Sequence, residues 1–416
     1  MASIARKNLI EDIPRFLAAQ AGIMFAVSLV TIQNGILNGF VQSSSLLIDK
    51  SSADIWITSE DMVHLNLTMP LALEQLTKAQ KVPGVELAEP LIFQSARWRD
   101  PTGQIQAINL VGSNPDGQLF APWNIIEGDL ESLKQPYRVI VDESNLNSLQ
   151  VSGVGDTVTI SGLEAKIVGL TQGTQPIVNS IFVFASLKNA NAYVTVPLQT
   201  QTRCTFENGN LNCVNVFDDS GDRQTQTDIS PEPRPLTLTD PITYILVKAK
   251  PNQDLQQLQA ELEATLPNTR AYTRQEIAEK IQDYWQKRTG VGFVLSLGAV
   301  VGILVGMIVV AQILYASVAD HIKEFGTLKA MGAPDRLLYS VILEQAFWMA
   351  VLGYIPGMAL CLGVASWASA TQGILILITP ASAVGVFFLT LVMCGGSAFF
   401  AIQKVTRVDP AIVFKA

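Results

Sequence analysis

Histidine and cysteine are scarce in this sequence: 416 residues contain two histidines, His64 and His321, and four cysteines, Cys204, Cys213, Cys361 and Cys394. That poverty excludes a zinc framework of the CxxC type, which needs several closely spaced nitrogen or sulfur ligands. No metal site is expected. Charge is also thin, at 15% of residues against roughly 25% in an ordinary soluble domain. The balance is acidic, with 28 Lys+Arg and 36 Asp+Glu, and no basic cluster is present to neutralise phosphates, which argues against nucleic-acid binding. Neither GxSxG, HExxH nor GxxxxGK[ST] occurs, so no catalytic residue and no nucleotide site are expected on this chain. The carboxylates Asp218, Asp219 and Asp222 lack the spacing of a calcium loop and read as solvated acidic surface.

What is present is unevenly distributed. Residues 49–288 hold 19 of the 28 basic and 29 of the 36 acidic residues, so the positive mean hydropathy of +0.30 arises in the flanks. No charged residue interrupts Phe16 to Ile48, Thr289 to Ala319 or Gln345 to Gln403. A helix needs about 20 apolar residues to cross the hydrocarbon of a bilayer. The first run is longer than a cleaved signal peptide's apolar region and continues into Gln42-Ser43-Ser44-Ser45, so it reads as a retained anchor. The third is long enough for two crossings, with Thr371-Gln372-Gly373 and Thr379-Pro380 at the reversal. Four membrane helices are therefore predicted, over roughly residues 16–40, 290–318, 338–368 and 380–403. Arg6, Lys7, Arg15, Lys323, Lys329, Arg336, Lys404, Arg407 and Lys415 fall on one side if both termini are cytoplasmic. The fold class is then membrane α-helical, four transmembrane helices, with a large α+β extracytoplasmic domain inserted between helices one and two. The expected divisions are 1–48, 49–288 and 289–416, the last containing a cytoplasmic loop over 320–337.

Small residues recur at four-residue spacing in the membrane runs: Gly35 and Gly39; Gly298, Gly302 and Gly306; Gly353 and Gly357. Such ridges let helices approach closely where apolar side chains alone give little drive for association. They fit packing within one subunit or the seam of a homodimer. Pro356 is expected to kink the third helix. With no ionisable residue inside the charge-free runs, an ion-coupled relay is not expected.

In the inserted domain, residues 53–112 read as strand, helix, strand, strand, and a second set follows residue 240: a strand over Tyr244–Val247, a helix facing inward through Leu255, Leu258, Leu262 and Leu266, and a further helix over 270–288. Between them lies a β-rich stretch with glycine turns, giving an α/β base with a β-rich insertion. Residues 218–241, with Pro231, Pro233 and Pro235, read as a loose surface excursion. Cys204 and Cys213 flank the turn-rich Glu207-Asn208-Gly209-Asn210; in an oxidising compartment a disulfide here stabilises by roughly 2.5 to 3 kcal/mol. Cys361 and Cys394, in membrane helices, read as small packing residues.

The stretch Asp320-His321-Ile322-Lys323-Glu324-Phe325-Gly326-Thr327-Leu328-Lys329-Ala330-Met331-Gly332-Ala333-Pro334 is too apolar for a free loop. A helix over 320–330 places Ile322, Phe325 and Leu328 near one face and Lys323 with Glu324 on another, ended by Gly332. A short exposed amphipathic helix suits docking into a partner's groove or resting on lipid.

With one helix, a large outer domain and three further helices, the motif Lys-Glu-Phe-Gly-Thr-Leu-Lys-Ala-Met-Gly-Ala at 323–333 resembles the FtsX/MacB/LolC permease superfamily of ABC transporters. Tyr284-Trp285, Thr289-Gly290-Val291-Gly292-Phe293 and Gln312-Ile313-Leu314-Tyr315 most resemble its DevC-type members; Val154-Gly155-Asp156-Thr157-Val158 and Val408-Asp409-Pro410-Ala411 fit the same pattern. The resemblance implies a homodimeric inner-membrane permease with both termini cytoplasmic and its large domain periplasmic. Its partners would be an ABC ATPase that carries the ATP and magnesium, a periplasmic membrane-fusion adaptor, a TolC-like outer-membrane channel and membrane lipids. The residues at 322–329, Met331 and Gly332 would form the coupling helix pushed by the ATPase, and the cargo would be a lipid, glycolipid or other amphiphile. The competing implication is an FtsX-like signalling scaffold that regulates a periplasmic cell-wall hydrolase.

Overall fold

A computed structural model describes residues 13–176, 181–195, 200–207, 210–217, 232–288, 290–320, 327, 331, 334–372 and 376–406, with 201–217 described by backbone alone. The chain forms two compact units, Gln42–Tyr284 and Met1–Val41 with Trp285–Ala416. In chain order the helices of seven or more described residues are α1 (Ile13–Ser44), α2 (Leu73–Ala79), α3 (Leu187–Thr195), α4 (Leu255–Thr265), α5 (Arg274–Lys287), α6 (Gly290–Asp320), α7 (Asp335–Gln372) and α8 (Pro380–Thr406). The strands are β1 (Ile55–Ser59), β2 (Leu71–Ala72), β3 (Val85–Arg99), β4 (Ile105–Ser113), β5 (Ile125–Gly128), β6 (Arg138–Asp142), β7 (Thr157–Ile160), β8 (Leu163–Thr171), β9 (Ile181–Ser186), β10 (Thr200–Glu207), β11 (Asn210–Phe217), β12 (Pro241–Ile242), β13 (Tyr244–Ala249) and β14 (Thr269–Thr273).

The unit 42–284 is organised by one sheet, ordered β14-β1-β13-β3-β4-β9-β6-β8-β5, with β7 bridging β3 and β8. β1 is buried along its whole length, as its unbroken Ile-Trp-Ile run requires of a strand paired on both sides. The 15-residue β3 joins the two regions that the sequence suggests as base and insertion. Its first half pairs with β13 and its second with β4, so both regions share one hydrogen-bonded path. Ile57, Ile92, Trp98, Leu110, Val139, Ile167, Val183, Ile245 and Leu262 belong to a single core. Gly128 sits at φ +78°, and a Cβ there would run into the Val168 carbonyl. Only glycine allows β5 to approach β8 so closely.

Two expectations need correction here. The helix anticipated over 270–288 begins only at Arg274, because Thr269–Thr273 is the edge strand β14. The end of the 218–241 excursion is held in place: Arg234 forms a two-pronged ion pair with Asp240 at 2.6 Å on each arm, and the Thr237 N–H donates to the same carboxylate. Leu73 and Glu74 donate their N–H groups to the carbonyls of Asp240 and Leu238. The turn therefore caps the start of α2. Asp218, Asp219 and Asp222 lie outside the described residues.

Among the described residues, four helices are long and apolar enough to span a membrane: Phe16–Ser44, Gly292–Gln312, Tyr339–Ala368 and Pro380–Phe399. Their shared core is built of small and medium side chains, including Ala19, Ile23, Ala26, Val27, Val310, Ala346, Ala350, Met393 and Ala398. α7 passes through Pro356 without a break in the helix. Glu344 lies inside the span beginning at Tyr339, so the charge-free run from Gln345 misses one ionisable group near that span's end.

Candidate functional site

In a chain whose outer domain is inserted between two membrane helices, the functional elements are the two connections and the helices that carry them. The outgoing connection follows α1 and the returning one is α5. They are tied together at three levels. The Gln282 amide donates to the Ser45 hydroxyl at 2.8 Å, and that hydroxyl donates to Asp49 at 2.8 Å. The Arg274 guanidinium donates to the Ser51 carbonyl at 3.2 Å, and the Arg274 N–H to the Asp54 carbonyl at 3.0 Å. β1 then pairs with β14 from Ile55↔Thr273 to Ser59↔Thr269. Trp56, fully buried, donates its indole N–H to the Ser51 hydroxyl at 3.1 Å.

α5 is started by a reciprocal cap. The Thr273 N–H donates to the Glu276 carboxylate at 2.8 Å and the Glu276 N–H to the Thr273 hydroxyl at 3.2 Å, the Thr-x-x-Glu capping box. Partial burial pushes the Glu276 carboxyl up, but hydrogen bonds from the Thr273 N–H, the Gln259 amide and the Thr273 hydroxyl together hold it below the usual carboxylate value. This cap is legible as Thr273-Arg274-Gln275-Glu276, and the periodicity reading overlooked it.

Six of the ridge glycines meet side chains of their own chain. On α6, a methyl placed on Gly298 would stand 2.9 Å from the Gln33 amide, and one on Gly302 2.9 Å from Leu29. At Gly306 it would collide with Ala26. On α7, Gly353 and Gly357 lie against Ile23 (2.5 Å) and Val27 (3.2 Å). Gly35 meets Ile376 (2.7 Å), and its carbonyl accepts from the Leu377 N–H at 2.9 Å. A seventh contact of this kind, Gly22 against Val309, stands outside the four-residue ridges. α1 is thus met by α6 and α7 between Gln20 and Gln33. The Cys361 thiol adds a contact to α1 by donating to the Ser28 carbonyl at 3.8 Å, while Ser397 ties α8 to the Met307 carbonyl of α6 at 2.9 Å and Tyr354 ties α7 to the Ala383 carbonyl of α8 at 2.8 Å. Cys361 and Cys394 are buried free thiols.

Of the loop after α6, Ile322, Lys323, Glu324, Phe325, Gly326, Leu328, Lys329 and Gly332 lie outside the described residues. Thr327 is helical and exposed. The Met331 N–H donates to its carbonyl at 3.0 Å, and Met331 is 72% exposed. Cys204 and Cys213 are directly opposed in the antiparallel pair β10–β11. Opposed residues in such a pair have Cα atoms about 4.5 to 5.5 Å apart, within the span a disulfide bridges.

Four apolar helices and an α+β domain rooted between the first two define a multi-pass membrane permease with a periplasmic-type domain. Residues 16–265 match the MacB-like periplasmic core domain and residues 296–410 the FtsX-like permease C-terminal domain, and the chain belongs to the FtsX/MacB-like ABC permeases. The pyoverdine export ATP-binding/permease protein PvdT of Pseudomonas syringae pv. tomato is 25% identical over 171 residues, 40% of this chain. The chain spans about a quarter of that relative's length, 26%. Among solved structures, the periplasmic region of MacB from Actinobacillus actinomycetemcomitans is similar over 57% of this chain and 96% of its own, at 12% identity and a TM-score of 0.35. The extracellular domain of the noncanonic ABC-type transporter YknZ from Gram-positive bacteria is similar over 49% of this chain and 89% of its own, at 10% identity and a TM-score of 0.32.

Proposed function

We propose that this chain is the DevC-type permease subunit of an exporter, driven by an ATPase on a separate chain, that expels a lipid, glycolipid or other amphiphile through a periplasmic adaptor and a TolC-like channel. The observation that carries the reading is the root of the outer domain. The segment that follows α1 is tied to α5 by the Gln282–Ser45 and Arg274–Ser51 hydrogen bonds. A push on either connection is therefore shared with the other and with the β1–β14 edge of the sheet. The ATPase, holding ATP and magnesium, pushes on the helix around Phe325 and Leu328, with both termini and this loop in the cytoplasm. Apart from Glu344, the candidate spans carry no Asp, Glu, Lys, Arg or His, which suits mechanical transmission better than a charged relay.

The protein works as a homodimer. Because Gly298, Gly302, Gly306, Gly353 and Gly357 are filled by side chains of their own chain, the second copy uses another surface: the exposed ridge of Phe293, Leu297, Val300, Leu304 and Ile308 on α6. Cys204 and Cys213 form a disulfide in the oxidising compartment; free alkylation of both thiols under nonreducing conditions would reject it.

The test is purification from native membranes in mild detergent, with mass spectrometry of everything bound. An ATPase with an adaptor is expected, and Phe325→Asp or Leu328→Asp should release the ATPase and stop export. Retention of both functions by the two variants removes the coupling role. An ATPase with a cell-wall hydrolase and no adaptor replaces the exporter with the regulatory scaffold.

A further inference from the structure

Residues 62–73, Met-Val-His-Leu-Asn-Leu-Thr-Met-Pro-Leu-Ala-Leu, form a run of twelve without Asp, Glu, Lys or Arg in the outer domain. In the structure it is a loop leading into β2 and the start of α2, and it turns some of its apolar side chains inward and others outward. Met62, Leu65 and Leu71 are buried, whereas Val63, Leu67 and Met69 are 37%, 55% and 59% exposed. The outward set is fixed in place: the Val63 N–H donates to the Leu67 carbonyl and the Leu67 N–H to the His64 carbonyl, both at 2.9 Å. Tyr244, fully buried, donates to the Leu65 carbonyl at 2.7 Å, and the Asn66 amide donates to Asn109 at 2.8 Å. A loop held this firmly with large apolar groups in water marks an interaction surface, because nothing about its own folding needs them outside.

Its position says what covers it. The His64 ring stacks on Tyr284 with centroids 4.6 Å apart and planes at 29°. Tyr284 lies two residues beyond Gln282, whose amide holds Ser45, the residue that directly follows the first candidate span, Phe16–Ser44. The next residue after Tyr284, Trp285, meets Phe40 edge to face at 5.9 Å. Amphipathic aromatic rings of this kind collect at the membrane–water interface. The loop is therefore attached to the chain where both connections enter the bilayer.

From this we infer that Val63, Leu67 and Met69 rest in the interfacial region of the bilayer leaflet facing the outer domain, so that the domain holds the membrane by a third point besides α1 and α6. The occupant is lipid. Glu60 and Asp61, at the start of the loop, keep the contact shallow, since carboxylates stay with the water at the headgroups. The inference needs the membrane topology and is independent of the cargo and of the exporter reading; a failed ATPase pull-down leaves it untouched.

The experiment uses the full chain in phosphatidylethanolamine–phosphatidylglycerol nanodiscs, with a photoreactive benzoylphenylalanine placed at Leu67 or, in a second variant, at Met69. Both sites are exposed, so the substitutions leave the anchoring residues intact. The same probe at Ile105, 52% exposed in the same domain but outside this loop, is the reference. Irradiation is expected to give lipid adducts at Leu67 and Met69 several-fold above those at Ile105, read by mass spectrometry. Lipid yields at both loop sites no higher than at Ile105, or adducts confined to protein, overturn the inference.

Discussion

The outer domain and the membrane bundle solve the same packing problem with opposite materials. The domain fills its core with large side chains, Trp56, Trp98, Phe93, Phe182 and Tyr244 among them, each 2% exposed or less. The bundle brings backbones together over glycine and alanine, with Gly306 against Ala26 and Gly353 against Ile23. Water explains the difference. In the domain, burying a large apolar side chain removes much surface from water, worth about 25 cal/mol per Å². In lipid that reward vanishes, and what holds two helices is close contact and interhelical hydrogen bonds. The two regions should fail under opposite substitutions.

The largest effect is expected from shrinking the domain's core. Trp98 is fully buried and donates its indole N–H to the Leu149 carbonyl at 3.2 Å. Trp98→Ala should cost about 3 to 5 kcal/mol, measured as a lower denaturant midpoint for the domain's unfolding, while the helical signal of the bundle in detergent is unchanged. Enlarging the bundle's small residues comes next. Gly306→Val or Gly353→Val should cost about 1 to 3 kcal/mol through overpacking, read as a lower melting temperature in detergent with the domain's near-ultraviolet spectrum intact. If Gly306→Val proves neutral, α1 and α6 are not held by close approach and the contrast fails at its membrane end.

How much of this contrast could be read from the residues differs between the two regions as well. The four spans follow from charge-free runs, a property of composition that survives small errors in helix ends: α1 continues to Ser44 instead of ending near residue 40. The strands at 55–59, 138–142 and 244–249 were likewise legible from short apolar runs. The sharing of β3 between two sheet regions was not, because a 15-residue strand contains Glu86, Glu89 and Pro90 and is defined by partners far away in sequence. The root of the domain was half legible: the Thr273-x-x-Glu276 cap is a local pattern, but the Gln282–Ser45 bond joins residues 237 positions apart. Nor does a single sequence say whether glycine ridges face their own chain or a second copy.

A pH experiment sharpens the comparison on its polar side. The hydrogen-bonded Arg234 guanidinium beside Asp240 is the main cause that holds its carboxyl down to about 2, against the opposing push of burial. The folded value lies below the unfolded one, near 4, so the folded state binds this proton less readily. Its stabilisation is complete above the unfolded value and is lost as pH falls from about 4 toward about 2. Asp240→Asn should flatten that part of the domain's stability profile and weaken the turn over 234–240. An unchanged acid limb would mean that other carboxylates carry it.

The smallest expected effect tests the joint between the regions. Glu276→Ala removes one arm of the cap at the start of α5, where the Thr273 N–H is bound at 2.8 Å, and should cost about 1 kcal/mol. Most of that loss should be local. α5 is also tied through Arg274 to Ser51 and through Gln282 to Ser45, so hydrogen exchange should rise over Arg274 to Ala278 while β1 and β14 stay protected. If exchange rises equally along β1, the cap governs the whole root and the connection is one cooperative piece. If protection is lost only in the first turn, the two outer hydrogen bonds suffice to keep the two connections tied to each other. The permease then has a joint whose stiffness is set by side chains on both connections, and doubling the lesion with Gln282→Ala should lower stability by more than the two separate losses combined.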